Sequence, residues 1–119
     1  MPKLKVSNKS SGAVLADRAD IADTSAKRRT GLLKHSSLEP GEGLWIAPCE
    51  GVHTFGMRFP IDVVFLSRKK KVLKVRPAMV RSRIAFNLRA HSVLELPAGT
   101  LASTGTFAGD ELEFEKYDA

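Results

Sequence analysis

The sequence predicts a mainly β protein, folded as a compact β-sandwich or jelly-roll-like barrel with one short helix packed across an end. Several short segments alternate apolar and polar residues with a period of two, and turn-forming residues separate them. No alternation of long helices and strands signals a parallel sheet. A chain of 119 residues suffices for one real core. We therefore expect a single domain over residues 1–119.

The N-terminal segment is predicted to form a hairpin followed by a helix. Basic and apolar residues alternate over 3–6, as in a half-buried strand, and the polar residues at 7–12 favour a turn. Residues 13–19 would form the second strand. A polar residue at 23–25 can cap a helix of about three turns, which Gly31 weakens near its end.

The rest of the chain is predicted to consist of short strands and connections. Residues 61–66 are apolar at nearly every position, which suits a central strand covered on both faces. Residues 81–90 are expected to form a basic connection, and Pro97 to take the first position of a short helical turn that Gly105 ends. The predicted strands of this part are 44–46, 52–59, 61–66, 72–80, 92–96 and 111–116, of which 52–59 is an irregular edge.

Charge is distributed unevenly along the chain. The net charge is +6, yet residues 58–89 carry ten Lys or Arg against one acid, while 95–119 carry six acids against one lysine. One part of the surface is therefore basic and another acidic. The single Cys49 excludes an internal disulfide, and no apolar run approaches the length of a membrane helix. We expect a cytoplasmic protein with no membrane partner.

Six short motifs follow one another in a fixed order. They are Arg28-x-x-Gly31-Leu32-Leu33, Gly43-Leu44-Trp45-Ile46, His53-Thr54-Phe55-Gly56-Met57, Pro60 to Phe65, Val93 to Leu96 with Ala98-Gly99, and Gly109-Asp110. As an ordered set they resemble the bacterial and archaeal family catalogued as domain of unknown function 192, a group of small β proteins. The resemblance implies a β-sandwich fold and no established activity.

Two carboxylates stand inside otherwise apolar strands, where an unpaired charge is costly. Asp62 and Glu95 each need a partner, and a structural interpretation pairs them with Arg28 or Arg58 in an ion pair that docks the helix on the sheet. The functional alternative is a concave pocket where a ligand binds. The sequence then predicts a small binding module for an unknown small-molecule or protein ligand, with the candidate set Arg28, Trp45, His53, Thr54, Met57, Asp62 and Glu95.

Two other functions stay open as less favoured alternatives. Cys49 and His53 lie four residues apart, so an imidazole-activated thiol could serve a small hydrolase or transferase, although an inert buried cysteine is commoner. The basic run 68–71, together with Lys74, Arg76, Arg81, Arg83 and Arg89, could contact nucleic-acid phosphates, although a solvated turn is the commoner explanation. We assign no cofactor and no metal, because zinc usually takes more ligands at tighter spacing.

Overall fold

The computed structural model describes all 119 residues and is built mainly from strands, which confirms the predicted mainly β fold. Two helices are present, both short. The elements in chain order are β1 Pro2–Asn8, β2 Val14–Ala22, α1 Ser25–Thr30, β3 Glu42–Ile46, β4 Gly51–His53, β5 Ile61–Leu66, β6 Val72–Met79, β7 Ile84–Phe86, β8 Ser92–Pro97, α2 Thr100–Thr104 and β9 Leu112–Asp118.

Seven strands form one mixed sheet in the order β6-β5-β8-β3-β2-β1-β9, and β4 pairs with β7 in a separate two-stranded ribbon. All neighbours are antiparallel except β2 and β3, which run parallel. A parallel pair needs a long crossover connection, and the segment containing α1 supplies it. The parallel pair was not predicted, and the helix in this connection, predicted to have about three turns, is only six residues long.

The sheet curls, so that its two edges approach each other without closing a barrel. An isolated bridge joins Lys71 to Glu111, and the amide of Val72 donates to the carbonyl of Asp110 at 2.8 Å. The concave face encloses an inner core that includes Val64, Leu94 and Leu112. An outer core covers the convex face and includes Val63, Phe65 and Val93. The sheet is therefore buried on both faces at its centre.

Strand β5 shows this two-sided burial at all six positions. Val64 and Leu66 pack into the inner core, while Ile61, Val63 and Phe65 pack into the outer core. Alternate side chains of a strand point to opposite faces, so a strand between two cores is apolar throughout. The predicted central strand over 61–66 is confirmed.

The outer core is covered by α1, the turn after it and the β4–β7 ribbon. Thr24 caps α1 by accepting a hydrogen bond from the amide of Lys27, yet no residue of α1 is buried, and Leu32 of the following turn fills the core instead. Strand β7 lies within the segment predicted as a basic connection, and its Ala85 faces the outer core. No helix is long and apolar enough to cross a membrane.

Candidate functional site

A cavity of about 170 Å³ opens on the convex side of the sheet, between the end of α1, the chain after β3 and strand β4. Five residues that the sequence singled out line it: Arg28, Cys49, His53, Met57 and Glu95. We call this space the Glu95 cavity. Arg29 also lines it and was missed, although its place beside Arg28 in the sequence is the signal that could have found it.

Glu95 is the most unusual group of this cavity. It lies on β8 opposite Leu44 and Val63, both outer-core residues, so its side chain enters an apolar environment. The residue is only 6% exposed, and its carboxyl group makes no hydrogen bond or ion pair within the chain. Burial disfavours the charged form and raises the pKa of Glu95 to about 7. A carboxyl group without a partner thus faces the cavity.

Cys49 stands at the wall of the same cavity with a half-buried thiol. Its Sγ donates a hydrogen bond to the carbonyl of Gly51 at 3.1 Å. Burial raises the pKa of this thiol above its ordinary value, and the charge of Glu95 adds to that effect while Arg28 opposes it. Because the thiolate is the reactive form, this environment makes Cys49 a weaker nucleophile at neutral pH.

His53 and Arg28 lie at the mouth of the cavity, where solvent reaches them. The imidazole of His53 stacks on the ring of Phe55, with centroids 5.4 Å apart, and no hydrogen bond joins it to Cys49. The guanidinium of Arg28 makes one long contact, at 3.5 Å, with the carbonyl of Asp23. Met57 is buried and contributes to both the outer core and the cavity wall. The mouth is cationic and the interior apolar apart from Glu95.

Asp62 lies elsewhere, on the opposite face of the sheet. Its two carboxylate oxygens accept hydrogen bonds from the backbone amides of Ala78 and Leu101, each at 2.8 Å. Leu101 is in the first turn of α2, and its amide there has no partner within the helix. Ala78 lies in a bulge of β6 with φ at +48°. Asp62 therefore fastens the bulge and the helix start to β5.

The predicted ion pairs of the buried carboxylates are wrong. The structure contains two ion pairs, Lys3 with Asp20 and Arg18 with Asp17, and both lie at the surface. Backbone amides take the place of an arginine at Asp62, because the bulge and the helix start both present unpaired amides there. Glu95 has neither kind of partner. No three His, Cys, Asp or Glu side chains cluster closely enough to hold a metal ion.

Trp45 and Thr54 are also remote from the cavity. The ring of Trp45 packs against the inner core, meets Phe114 edge to face at 5.3 Å, and has the ammonium of Lys70 over it at 5.0 Å. Thr54 is fully buried, and its hydroxyl donates to the carbonyl of Val80 at 2.6 Å and accepts from the amide of Arg83 at 2.8 Å. The contacts of Thr54 account for its burial, whereas the indole nitrogen of Trp45 is buried without a hydrogen-bond partner.

The family model DUF192, described as an uncharacterised ACR, matches residues 6–114 of this chain. The chain belongs to this family. The match to DUF192 begins within β1 and ends within β9, and it leaves five residues at each end. A UPF0127 protein of the archaeon Thermococcus sibiricus is 30% identical over 113 residues, which are 91% of this chain and 73% of that protein.

Two solved structures resemble this DUF192 chain over nearly its whole length. A protein of unknown function from Novosphingobium aromaticivorans is 24% identical and has a TM-score of 0.80, covering 93% of this chain and 83% of its own. A protein from Sinorhizobium meliloti, provisionally described as a transcription regulator, is 21% identical with a TM-score of 0.83, covering 96% and 94%. At this level of identity the likeness shows the fold, and no specific activity follows from it.

Proposed function

We propose that the protein is a binding module that takes a small cationic or zwitterionic molecule into the Glu95 cavity. One observation carries this proposal: Glu95 is almost completely buried, faces the cavity, and has no hydrogen-bond partner in the chain. The carboxyl oxygens of Glu95 are not among the fully enclosed polar atoms without a partner, so they are open to the cavity. A ligand that enters the cavity with a hydrogen-bond donor would supply the partner that the chain does not.

The chemistry of the cavity favours a ligand with a positive group at the inner end. An ammonium or amidinium group donates to a carboxylate in a charge-assisted hydrogen bond, which is stronger than a neutral one. The mouth of the cavity carries Arg28 and Arg29, so an anionic group at the outer end of the ligand would meet a positive charge. A zwitterion satisfies both ends.

The size of the cavity limits the ligand to a few heavy atoms or to the end of a longer molecule. Its volume of about 170 Å³ lies below the roughly 300–1,000 Å³ typical of pockets for drug-sized ligands. Very small ligands gain at most about 1.5 kcal/mol per heavy atom, so a fragment of four or five atoms reaches at best about 6–7.5 kcal/mol, a Kd of roughly 3–40 μM. The binding test must therefore detect weak association.

The proposal is tested by titrating the isotope-labelled protein with ethylammonium, glycine and acetate and recording amide chemical shifts at about pH 8, where Glu95 is ionised. Ethylammonium and glycine are expected to shift the amides of Cys49, His53 and Glu95, and acetate is not. Glu95→Gln should weaken binding roughly tenfold or more, since hydrogen bonds to charged groups contribute about 1.5–3 kcal/mol. Glu113→Gln, at an exposed carboxylate on β9, is the matched control and should bind like the wild type.

Three results would contradict this function. They are no response of the cavity amides to any of the three probes, binding of acetate as tight as that of ethylammonium, and an unchanged affinity in Glu95→Gln. A proton-linked control sharpens the test, because the affinity for ethylammonium should fall as the pH is lowered through about 7 and Glu95 takes up a proton.

An enzyme that uses Cys49 with His53 receives less support. The thiol of Cys49 donates a hydrogen bond to the carbonyl of Gly51, and burial raises its pKa. No hydrogen bond connects the thiol to the imidazole of His53. A nucleophilic pair needs a base within hydrogen-bond reach of the thiol and a lowered pKa. The cytoplasmic location expected from the sequence stays part of the proposal, supported by a single cysteine that cannot form an internal disulfide.

A further inference from the structure

The β4–β7 ribbon exposes apolar and aromatic side chains on its outward side. His53 pairs with Ile84 and Gly51 pairs with Phe86, so these residues share one side of the ribbon, while the pair of Val52 and Ala85 faces the outer core. Phe55 extends the same side by stacking on His53. We call the set His53, Phe55, Ile84 and Phe86 the ribbon face.

The side chains of the ribbon face are far more exposed than a core would allow. Ile84 is 63% exposed, Phe86 58% and Phe55 49%. Large apolar side chains that cluster at the surface commonly mark a site of interaction. Gly51 lies opposite Phe86 and has no side chain, so the ring of Phe86 stands free above that side of the strand pair.

Positive charges outnumber acids around the ribbon face, where the exposed Glu50 directly precedes β4. Residues 51–94 contain ten Lys or Arg and one acid, Asp62, which is buried on the other face of the sheet. Lys74 donates to the carbonyl of Phe86 at 3.0 Å and lies 5.8 Å from its ring centroid. Arg81 and Arg83 are exposed beside β7 and form no ion pair.

Cations also border the ribbon at its β4 edge, beside His53. Arg28 and Arg29 line a shallow depression together with His53. The aromatic side chains of the ribbon face thus lie between two sets of guanidinium groups. A partner that fits this arrangement needs repeated negative charges and flat apolar groups at short intervals.

We propose that the ribbon face binds single-stranded nucleic acid, with unpaired bases stacked on Phe86 and on the paired rings of His53 and Phe55. The phosphates of the same strand would run along the arginines on either side. Single-strand binding proteins combine these two features, a positive track for the backbone and exposed aromatic rings for the bases. The ribbon face shares His53, Arg28 and Arg29 with the mouth of the Glu95 cavity, but the proposed contacts do not use the carboxyl group of Glu95.

An anionic membrane would meet the same charges, but the ribbon face suits it less. Insertion into lipid requires an apolar surface that projects beyond the charged groups. Here the ammonium of Lys74 lies beside the ring of Phe86, and the polar imidazole of His53 stands between Phe55 and Ile84. Hydrocarbon would have to cover these polar groups, whereas stacked bases leave them in water beside phosphates.

The test measures fluorescence anisotropy of labelled oligouridine and oligothymidine of about twelve nucleotides with the full chain, at several salt concentrations. Phe86→Ala should lower the affinity roughly tenfold, because stacking contributes a factor of about 5 to 150 per base. Arg81→Gln with Arg83→Gln should lower affinity and flatten the dependence of log K on log salt by about 0.7 for each lost phosphate contact. Phe107→Ala, at an exposed ring outside the ribbon face, is the matched control and should bind like the wild type.

Four outcomes would contradict the proposal. No binding of either oligonucleotide at low salt would overturn it, as would equal losses in Phe86→Ala and Phe107→Ala. Vesicles of anionic lipid that bind more tightly than the oligonucleotides, and that compete with them, would identify a membrane surface instead. Tighter binding of a DNA duplex than of both single strands would show that the protein contacts only the phosphate charges and does not stack on unpaired bases. Glu95→Gln should leave oligonucleotide binding unchanged, which separates this function from that of the cavity.

Discussion

Asp62 and Glu95 are buried carboxyl groups on adjacent strands, and the two faces of the sheet treat them in opposite ways. On the concave side, Asp62 receives one backbone amide from the β6 bulge and one from the start of α2. On the convex side, Glu95 stands among outer-core residues and receives no hydrogen bond. The concave side uses its carboxylate to hold the fold, whereas the convex side leaves one unpaired beside an open cavity.

The difference shows that burial alone does not separate a structural carboxylate from a candidate binding group. Removing a partner from a satisfied group costs stability, because the donors left behind stay buried without an acceptor. A group without a partner has no such bond to lose, and its substitution by a neutral side chain can be stabilising. Mutation of each residue should therefore give opposite results.

The largest effect is expected for Asp62→Ala. It leaves the buried amide of Leu101 and the partly buried amide of Ala78 without an acceptor, at about 1–3 kcal/mol for the first and less for the second, and it empties the buried site of the carboxylate, so the free energy of unfolding should fall by about 3–4 kcal/mol. Urea denaturation measures this loss. Asp62→Asn keeps one acceptor oxygen and should lose less. A loss below about 1 kcal/mol in Asp62→Ala would show that Asp62 does not hold these elements.

The second effect concerns the pH dependence of stability. The pKa of Glu95 is about 7 in the folded chain and 4.5 as its ordinary value, so the folded state keeps a proton that the unfolded state releases between these values. The contribution of protonated Glu95 to the free energy of unfolding is therefore fully present below about pH 4.5 and is lost as the pH rises through 7. At 1.36 kcal/mol per pKa unit the contribution amounts to roughly 3 kcal/mol.

Glu95→Gln provides the control for this pH dependence. Urea denaturation at pH values from about 4.5 to 8 should give similar stabilities for the variant and the wild type at the acid end. At pH 8 the variant should be more stable by roughly 3 kcal/mol, because it has no carboxylate to ionise. Equal stabilities across the whole range would mean that Glu95 titrates normally and that solvent or a polar neighbour reaches it.

The sequence predicted those parts of the fold that a single pattern determines. An unbroken apolar run identified β5, Thr24 was among the predicted helix caps, and Gly105 ends the short helix α2 as predicted, whereas Pro97 ends β8 and does not open that helix. Each of these signals is local. The three-residue strand β7 was missed, because its exposed Ile84 and Phe86 lie within a basic segment that resembles a loop.

The positions of the candidate site residues depended on pairings that no local pattern contains. The sequence could identify Asp62 and Glu95 as costly buried charges, but their opposite faces follow from the register of β5 with β8. The unpaired amide that Asp62 binds exists only because β6 bulges at Ala78. Arg28, Cys49 and His53 meet Glu95 because the β4–β7 ribbon folds over the convex face. Tertiary arrangement therefore decided which predicted residues lie together.

The smallest expected effect is a shift in the pH at which Cys49 reacts, which reports the charge on Glu95 inside the cavity. The ionised carboxylate raises the pKa of the thiol, so Glu95→Gln should lower the pH at which Cys49 begins to react with iodoacetamide. Arg28→Gln should shift the reaction in the opposite direction, because the guanidinium favours the thiolate. Asp62→Asn, on the other face of the sheet, should leave the profile unchanged. If Asp62→Asn and Glu95→Gln shifted it equally, the shift would reflect a loosened fold rather than a charge beside Cys49, and the two faces would not be electrostatically separate.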